Sequence, residues 1–334
     1  MTKIRGSWGV VFLAIAVTVG LGARAWAAGV QPTFVVTFDP TAAQLPESMT
    51  SDDHGTLYAS NLNGQIQKID PSSGTFTTVA TVPVGPLGAA LTGIKVGPDG
   101  LLYVASASFS PSPAGAFLWR VDPSTGVSQQ FATLDPRGFP NDLVFQDDGT
   151  ILLTDPALAL IYKIDTAGDA SVWLSDPLFA GASNPSDTAF GVPFGVDGIA
   201  WDRNKRNLYV STVDFGRVMR IPTDGSCAPA IHVIVESPTL KGIDGIAIDR
   251  AGTIWAAVNT QNQIATVDGR GNILVIAQGS PLDGPSSFAF GSGRHDKQTL
   301  YIANFAITSF QTDPATAHPG ILSLPVLVPG LPLR

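Results

Sequence analysis

Six polar residues each open a similar strand–turn–strand segment of this sequence: Glu47, Thr92, Asn141, Asp197, Asp244 and Ser286. Three are carboxylates and one is an amide. Oxygen donors of this kind suit a hard divalent cation. A ring of separate side chains tolerates flexible, higher coordination, which favours Ca²⁺ over Mg²⁺. Three carboxylates converging without a cation in a partly desolvated space would repel one another. Glu47, Asn141, Asp197 and Asp244 are therefore the expected metal ligands. Thr92 and Ser286 are expected to cap strands or bond channel water. The next position is glycine in three segments (Gly93, Gly198, Gly245) and serine in two (Ser48, Ser287), which leaves space. The exception is Asp142, which either contacts substrate or bonds neighbouring backbone.

Only a repeat can bring residues so far apart in sequence together. In four segments a turn glycine (Gly55, Gly100, Gly149, Gly252) follows the polar start by eight positions, and successive starts lie 45, 49, 56, 47 and 42 residues apart. Each segment reads as a strand, a DG-type turn and a second strand, as in Ile246-Ala247-Ile248 followed by Thr253-Ile254-Trp255. A second hairpin follows, such as Leu118–Asp122 with its Pro123-Ser124-Thr125-Gly126 turn. Periods of roughly 40–50 residues with four strands per unit mark propeller blades. The expected fold is all-β: a six-bladed β-propeller with four-stranded blades over residues 28–334. The strand Phe34–Phe38 is expected to close the ring as the outer strand of the last blade, removing an edge. The first strand of each blade lines the central channel, so the six polar starts form a ring at one mouth. Tyr58, Tyr103, Tyr209, Trp255 and Tyr301 recur at one repeat position and read as packing between blades. The loop from about Asp176 to Pro193 is rich in Gly, Pro, Asn and Ser. It is either a functional rim or a surface insertion.

Composition narrows the function classes. A net charge of −8, with no Lys or Arg run in the mature region, argues against a nucleic-acid partner. Lys3 and Arg5, the apolar stretch Trp8–Leu21 and Ala25-Trp26-Ala27 form an expected signal peptide over residues 1–27. The protein is thus expected to be exported, to periplasm or beyond, with no membrane span left after cleavage. Cys227 is the only cysteine, so an internal disulfide is excluded. The four histidines (His54, His232, His295, His318) show no metal spacing, and neither a G-x-S-x-G elbow nor a P-loop is present.

The segments Pro46-Glu47-Ser48 with Gly55-Thr56-Leu57-Tyr58, Pro140-Asn141-Asp142-Leu143, Val196-Asp197-Gly198-Ile199 and Ile243-Asp244-Gly245-Ile246 resemble, in repeat order, the SMP-30/gluconolactonase family, also called regucalcin-like. The resemblance implies one divalent cation near the channel: Ca²⁺ first, with Zn²⁺, Mn²⁺ or Mg²⁺ as alternatives. Glu47 takes the glutamate role, Asp244 the aspartate role, and Asn141 the third-blade asparagine. Asp197 stands where many members have Asn, which raises the negative charge. The implied activity is hydrolysis of a small-molecule lactone, with the metal polarising the carbonyl and Asp244 activating water. Sugar-lactone hydrolases of the family resemble Arg-x-Asn-Asp at the third blade. Here that place reads Phe139-Pro140-Asn141-Asp142, so Phe139 points to a more hydrophobic substrate. The other class left open is a non-catalytic propeller that binds a ligand or protein and holds a structural Ca²⁺.

Overall fold

The computed structural model describes residues 30–84, 89–108, 115–223 and 229–332. The expected signal peptide and Cys227 lie outside them. The described strands form six four-stranded antiparallel sheets. The innermost strands are Pro46–Ser51, Ala90–Val96, Leu143–Phe145, Val196–Trp201, Ile243–Ile248 and Pro285–Phe290. This is a six-bladed β-propeller. In the sixth sheet Thr33–Thr37 pairs antiparallel with Gly320–Pro325 as the outermost strand. Among the described residues no helix is long and apolar enough to cross a membrane.

Burial explains the layering within a blade. Second strands such as Leu57–Asn61 and Ile151–Asp155 are buried along their whole length. Outermost strands such as Ala170–Ser175 are largely exposed. The apolar clusters lie between neighbouring blades, as where Tyr58 and Ile66 of the first meet Leu91, Ile94 and Trp119 of the second. Tyr58, Tyr103, Trp255 and Tyr301 are all buried in such clusters, and Tyr209 is partly buried in another. Their polar tips reach back to the hairpin aspartates: Tyr103 donates to Asp99 at 3.0 Å, Tyr301 to Asp296 at 3.1 Å and Trp255 to Asp249 at 3.2 Å. Asp249 also accepts from Ala251 and Thr253 N–H, so one carboxylate shapes the turn and tethers the aromatic. The turn glycines have φ of 92°, 78°, 84° and 84° at Gly55, Gly100, Gly149 and Gly252. In the fourth blade Lys205 takes this left-handed place at φ 52°.

Inner-strand residues of all six blades, including Lys95, Val144, Ile199 and Phe288, wall a cavity of about 670 Å³. At the hairpin face the chain end lies across it. Arg250 N–H donates to Pro329 O, and Asp249 bridges to Gly330.

Candidate metal and active site

The inner strands do not run regularly past the six polar starts. The register shifts at Pro46/Ser48, Leu91/Ile94, Val196/Ile199, Ile243/Ile246 and Pro285/Ser287. The displaced residues are therefore Glu47, Thr92, Asp197, Asp244 and Ser286, the glycine after three of them included. A bulge re-aims the side chain out of the alternating pattern. In the third blade the inner strand begins at Leu143, and Asn141 and Asp142 extend its pairing through Asn141 N–H to Thr154 O and Thr154 N–H to Asp142 O.

All six starts are buried. They differ in what their side chains do. The Thr92 hydroxyl donates to Pro140 O at 2.8 Å and that of Ser286 to Glu47 O, each in the next blade. Both side chains serve the scaffold. Asn141 Nδ2 donates to Asp197 Oδ1 at 2.6 Å. Asn259, which sequence reasoning missed, donates through Nδ2 to Asp244 Oδ2 at 3.1 Å. Glu47 Oε2 and Asn259 Oδ1 are buried without a hydrogen-bond partner. Asp142 is committed to other partners. Its Oδ1 accepts from Leu143 N–H at 2.9 Å and pairs with Lys95 Nζ at 3.1 Å, while its Oδ2 accepts from Ile199 N–H at 3.4 Å. Lys95 was also missed, though it is the one charged residue at the fourth repeat position, where the other blades carry Thr50, Val144, Ala200, Ala247 and Ala289.

Burial is the first cause of the electrostatics here. It pushes Asp197 up to about 8, helped by the charge of Asp142 and opposed by the bond from Asn141. Glu47 is raised well above the usual carboxylate range by burial, then by Asp197 and Asp142, with Lys95 opposing. Asp244 is raised by burial, then by Asp197 and Glu47, with the Asn259 bond opposing. The three carboxylates thus act on one another, which places them in one charged neighbourhood. Among the described residues, no group of three His, Cys, Asp or Glu side chains has the spacing of a closed metal site. The donor set nevertheless fits a hard cation. It is all oxygen, it combines carboxylates with amides, and two of its oxygens are buried without partners.

Phe139, two residues before Asn141, is buried, its ring 5.0 Å from that of Phe194 in a T-shaped pair. Its N–H donates at 2.9 Å to Asp155, a third missed residue, which also accepts from Ala157 and Leu158 N–H. Burial pushes Asp155 up to about 6, against those three bonds. Asp155 thus fixes the segment that delivers Asn141.

The family model for the SMP-30/gluconolactonase/LRE-like region matches residues 36–240 and 198–306. The chain belongs to this family. Among curated proteins, a gluconolactonase of Zymomonas mobilis is 25% identical over 241 residues, 63% of this chain and 60% of the relative. The chain thus spans about 60% of that relative's length. Among solved structures, a regucalcin from Agrobacterium tumefaciens, described as a calcium-binding protein, is similar at TM-score 0.64 and 20% identity, covering 90% of this chain and 95% of that one. A gluconolactonase from Xanthomonas campestris is similar at TM-score 0.60 and 17% identity, covering 90% of each chain. At these identities the structural likeness concerns the shared fold.

Proposed function

We propose that this family member is a divalent-cation-dependent lactonase acting at the ring formed by Glu47, Asn141, Asp197 and Asp244. The observation that carries the reading is a buried, mutually repelling carboxylate set with two partnerless oxygens, Glu47 Oε2 and Asn259 Oδ1. Family membership and the gluconolactonase relative support the choice of reaction.

Glu47, Asn141, Asp197 and Asp244 would hold the cation, with Asn259 Oδ1 a further donor and Ca²⁺ the first candidate. When bound, it supplies Lewis-acid polarisation of the lactone carbonyl and charge for the developing oxyanion. Asp244 is the general base: its carboxylate takes a proton from the water that attacks the carbonyl carbon, and returns it to the departing ring oxygen as the ring C–O bond breaks, which yields the hydroxy acid. Asn259 orients Asp244 through Oδ2, leaving Oδ1 for the water. Asp142, tied to Lys95 and two backbone N–H groups, steadies the base of the pocket, and Phe139 lines the pocket for an apolar substrate.

The test is turnover of aliphatic, aryl and sugar lactones by EDTA-treated protein with Ca²⁺, Mn²⁺, Zn²⁺ or Mg²⁺ restored singly. Cation-dependent hydrolysis, faster on aliphatic or aryl than on sugar lactones, is expected. Turnover unaffected by EDTA, or full turnover by Asp244→Asn, would overturn the assignment.

A further inference from the structure

The loop between the third and fourth blades was left open by sequence as rim or surface insertion. In the structure it is built around one buried carboxylate, Asp214. Asp214 Oδ1 accepts from Ala189 N–H at 2.7 Å, and Oδ2 accepts from Ala182 N–H at 2.9 Å and Phe194 N–H at 2.8 Å. These donors lie at three separate points of the loop, so one side chain gathers its two ends and its middle. Other ties hold its flanks. Phe179 is fully buried among Val196, Ile199 and Met219. Arg217 donates to Leu178 O at 2.7 Å, and Gly195 N–H donates to Pro156 O at 3.1 Å. The loop also passes so close to its neighbours that Cβ atoms added at Gly181 and Gly195 would lie 2.4 Å from Phe194 N and 2.0 Å from Phe179 O.

This anchoring presents aromatic rings. Phe190 lies 5.9 Å from Phe194, and Phe194 lies 5.0 Å from Phe139, both pairs T-shaped. Exposure rises along the row: Phe139 is 8% exposed, Phe194 intermediate and Phe190 36%. The buried end is fixed relative to the acidic ring. Phe139 precedes Asn141 by two residues, Phe194 precedes Asp197 by three, and Asn141 and Asp197 are hydrogen-bonded to each other. The same two stretches of chain therefore carry the aromatic pair and the amide–carboxylate pair. An exposed phenylalanine next to an exposed Val192, on a loop this firmly held, keeps apolar surface in water that a loose loop could turn inward.

We propose that residues 182–194 form an aromatic ledge that receives the aryl or alkyl substituent of the substrate, with Asp214 as its positioning residue. The proposal rests on the lactonase reading for the identity of the substrate, and on the ledge alone for the class of group bound. Phe190 and Phe194 are the contacting residues, and Asp214 acts only through them. A flat apolar substituent gains stacking and desolvation on such a surface, whereas a small lactone touches only the acidic ring.

Binding can be separated from turnover with lactams, whose amide resists hydrolysis. Piperidinone serves as the small probe and dihydroquinolinone as its benzo-fused counterpart, measured by saturation-transfer NMR or calorimetry on the Ca²⁺-supplemented mature protein. The wild type is expected to bind the aryl lactam about three- to tenfold more tightly. Phe190→Ser, at a partly exposed position, and Asp214→Asn should each bring the ratio towards one without changing piperidinone binding. In turnover of dihydrocoumarin, Phe190→Ser should raise KM and leave kcat. If the wild type shows no preference for the aryl lactam, or both variants keep it, the ledge is refuted. A protein that keeps the preference and loses it in both variants, yet hydrolyses no lactone, refutes the lactonase reading and leaves the ledge standing.

Discussion

Replacing Asp197 with Asn removes one ionisable group from the acidic ring while preserving the shape of the side chain. Asp197 is 2% exposed, and its carboxyl is raised from an ordinary 3.8 to about 8. A carboxyl raised on folding favours the folded state at low pH. That advantage is complete below the unfolded value and is lost as pH rises towards the folded one. Between about pH 4 and pH 7 the unfolded chain has released this proton and the cation-free folded protein retains it. Roughly three pH units at ~1.4 kcal/mol each make a loss on the order of 4 kcal/mol from this group. Because Asp197 also raises Glu47 and Asp244, its replacement relaxes both of them.

The assay is urea unfolding in EDTA between about pH 4.5 and pH 8. Wild type should lose several kcal/mol across this range, and Asp197→Asn should show a clearly shallower slope. Added Ca²⁺ should restore the wild type at pH 8, by about 2.7 kcal/mol at a hundredfold excess over Kd, and restore the variant less. Parallel pH slopes for the two proteins in EDTA would refute the claim that these carboxylates are buried together.

Asp244→Asn should lower kcat by about 10²–10⁴, the usual worth of a positioned base, with the fold intact by circular dichroism. Asn259→Ala removes the hydrogen bond that lowers the Asp244 pKa, so the acid limb of the pH–rate profile should move to higher pH. Glu47→Gln should weaken Ca²⁺ binding in calorimetry while leaving the EDTA-treated protein at least as stable near pH 8 as the wild type. Thr154→Val strips a buried hydroxyl that receives Asp142 N–H and donates to Asp197 O, and should cost about 1–3 kcal/mol in thermal unfolding.

The fold was legible because its determinants are local and repeated. Turn glycines eight positions after four of the six starts, and an aromatic just beyond the turn in five segments, appear in any reading of the chain. The ring residues were legible for the same reason, since all occupy one repeat position. Asn259 was not, because it lies after the second strand of the fifth blade, fifteen residues from the Asp244 it bonds. Asp155 and Asp214 were hidden in a different way. Their partners are backbone N–H groups, which carry no residue signature, so only the folded chain shows which carboxylates hold loops. Lys95 was visible as a lone charge in a column of neutral residues, but its pairing with Asp142 needed the third dimension.

The asymmetry of the ring has a structural cause that the repeat alone does not show. Each blade ties itself to the next through a side chain bonded to backbone near the neighbour's first strand. In blades one, three and four the tie comes from the second strand: Ser60 to Thr92 O, Thr154 to Asp197 O and Ser211 to Asp244 O. There the first position is released from scaffold duty and holds Glu47, Asn141 and Asp197. In blades two and six the corresponding second-strand residues are Ala105 and Ala303, which cannot donate, and the hydroxyls of Thr92 and Ser286 make the tie instead. Blade five has Ala257 at that place, and Asn259 bonds Gly284 O at 3.4 Å on the approach to blade six. Its first position, Asp244, is thereby freed as well. A residue can serve the channel only where another has taken over the seam between blades. The four blades that meet this condition are the four that carry Glu47, Asn141, Asp197 and Asp244.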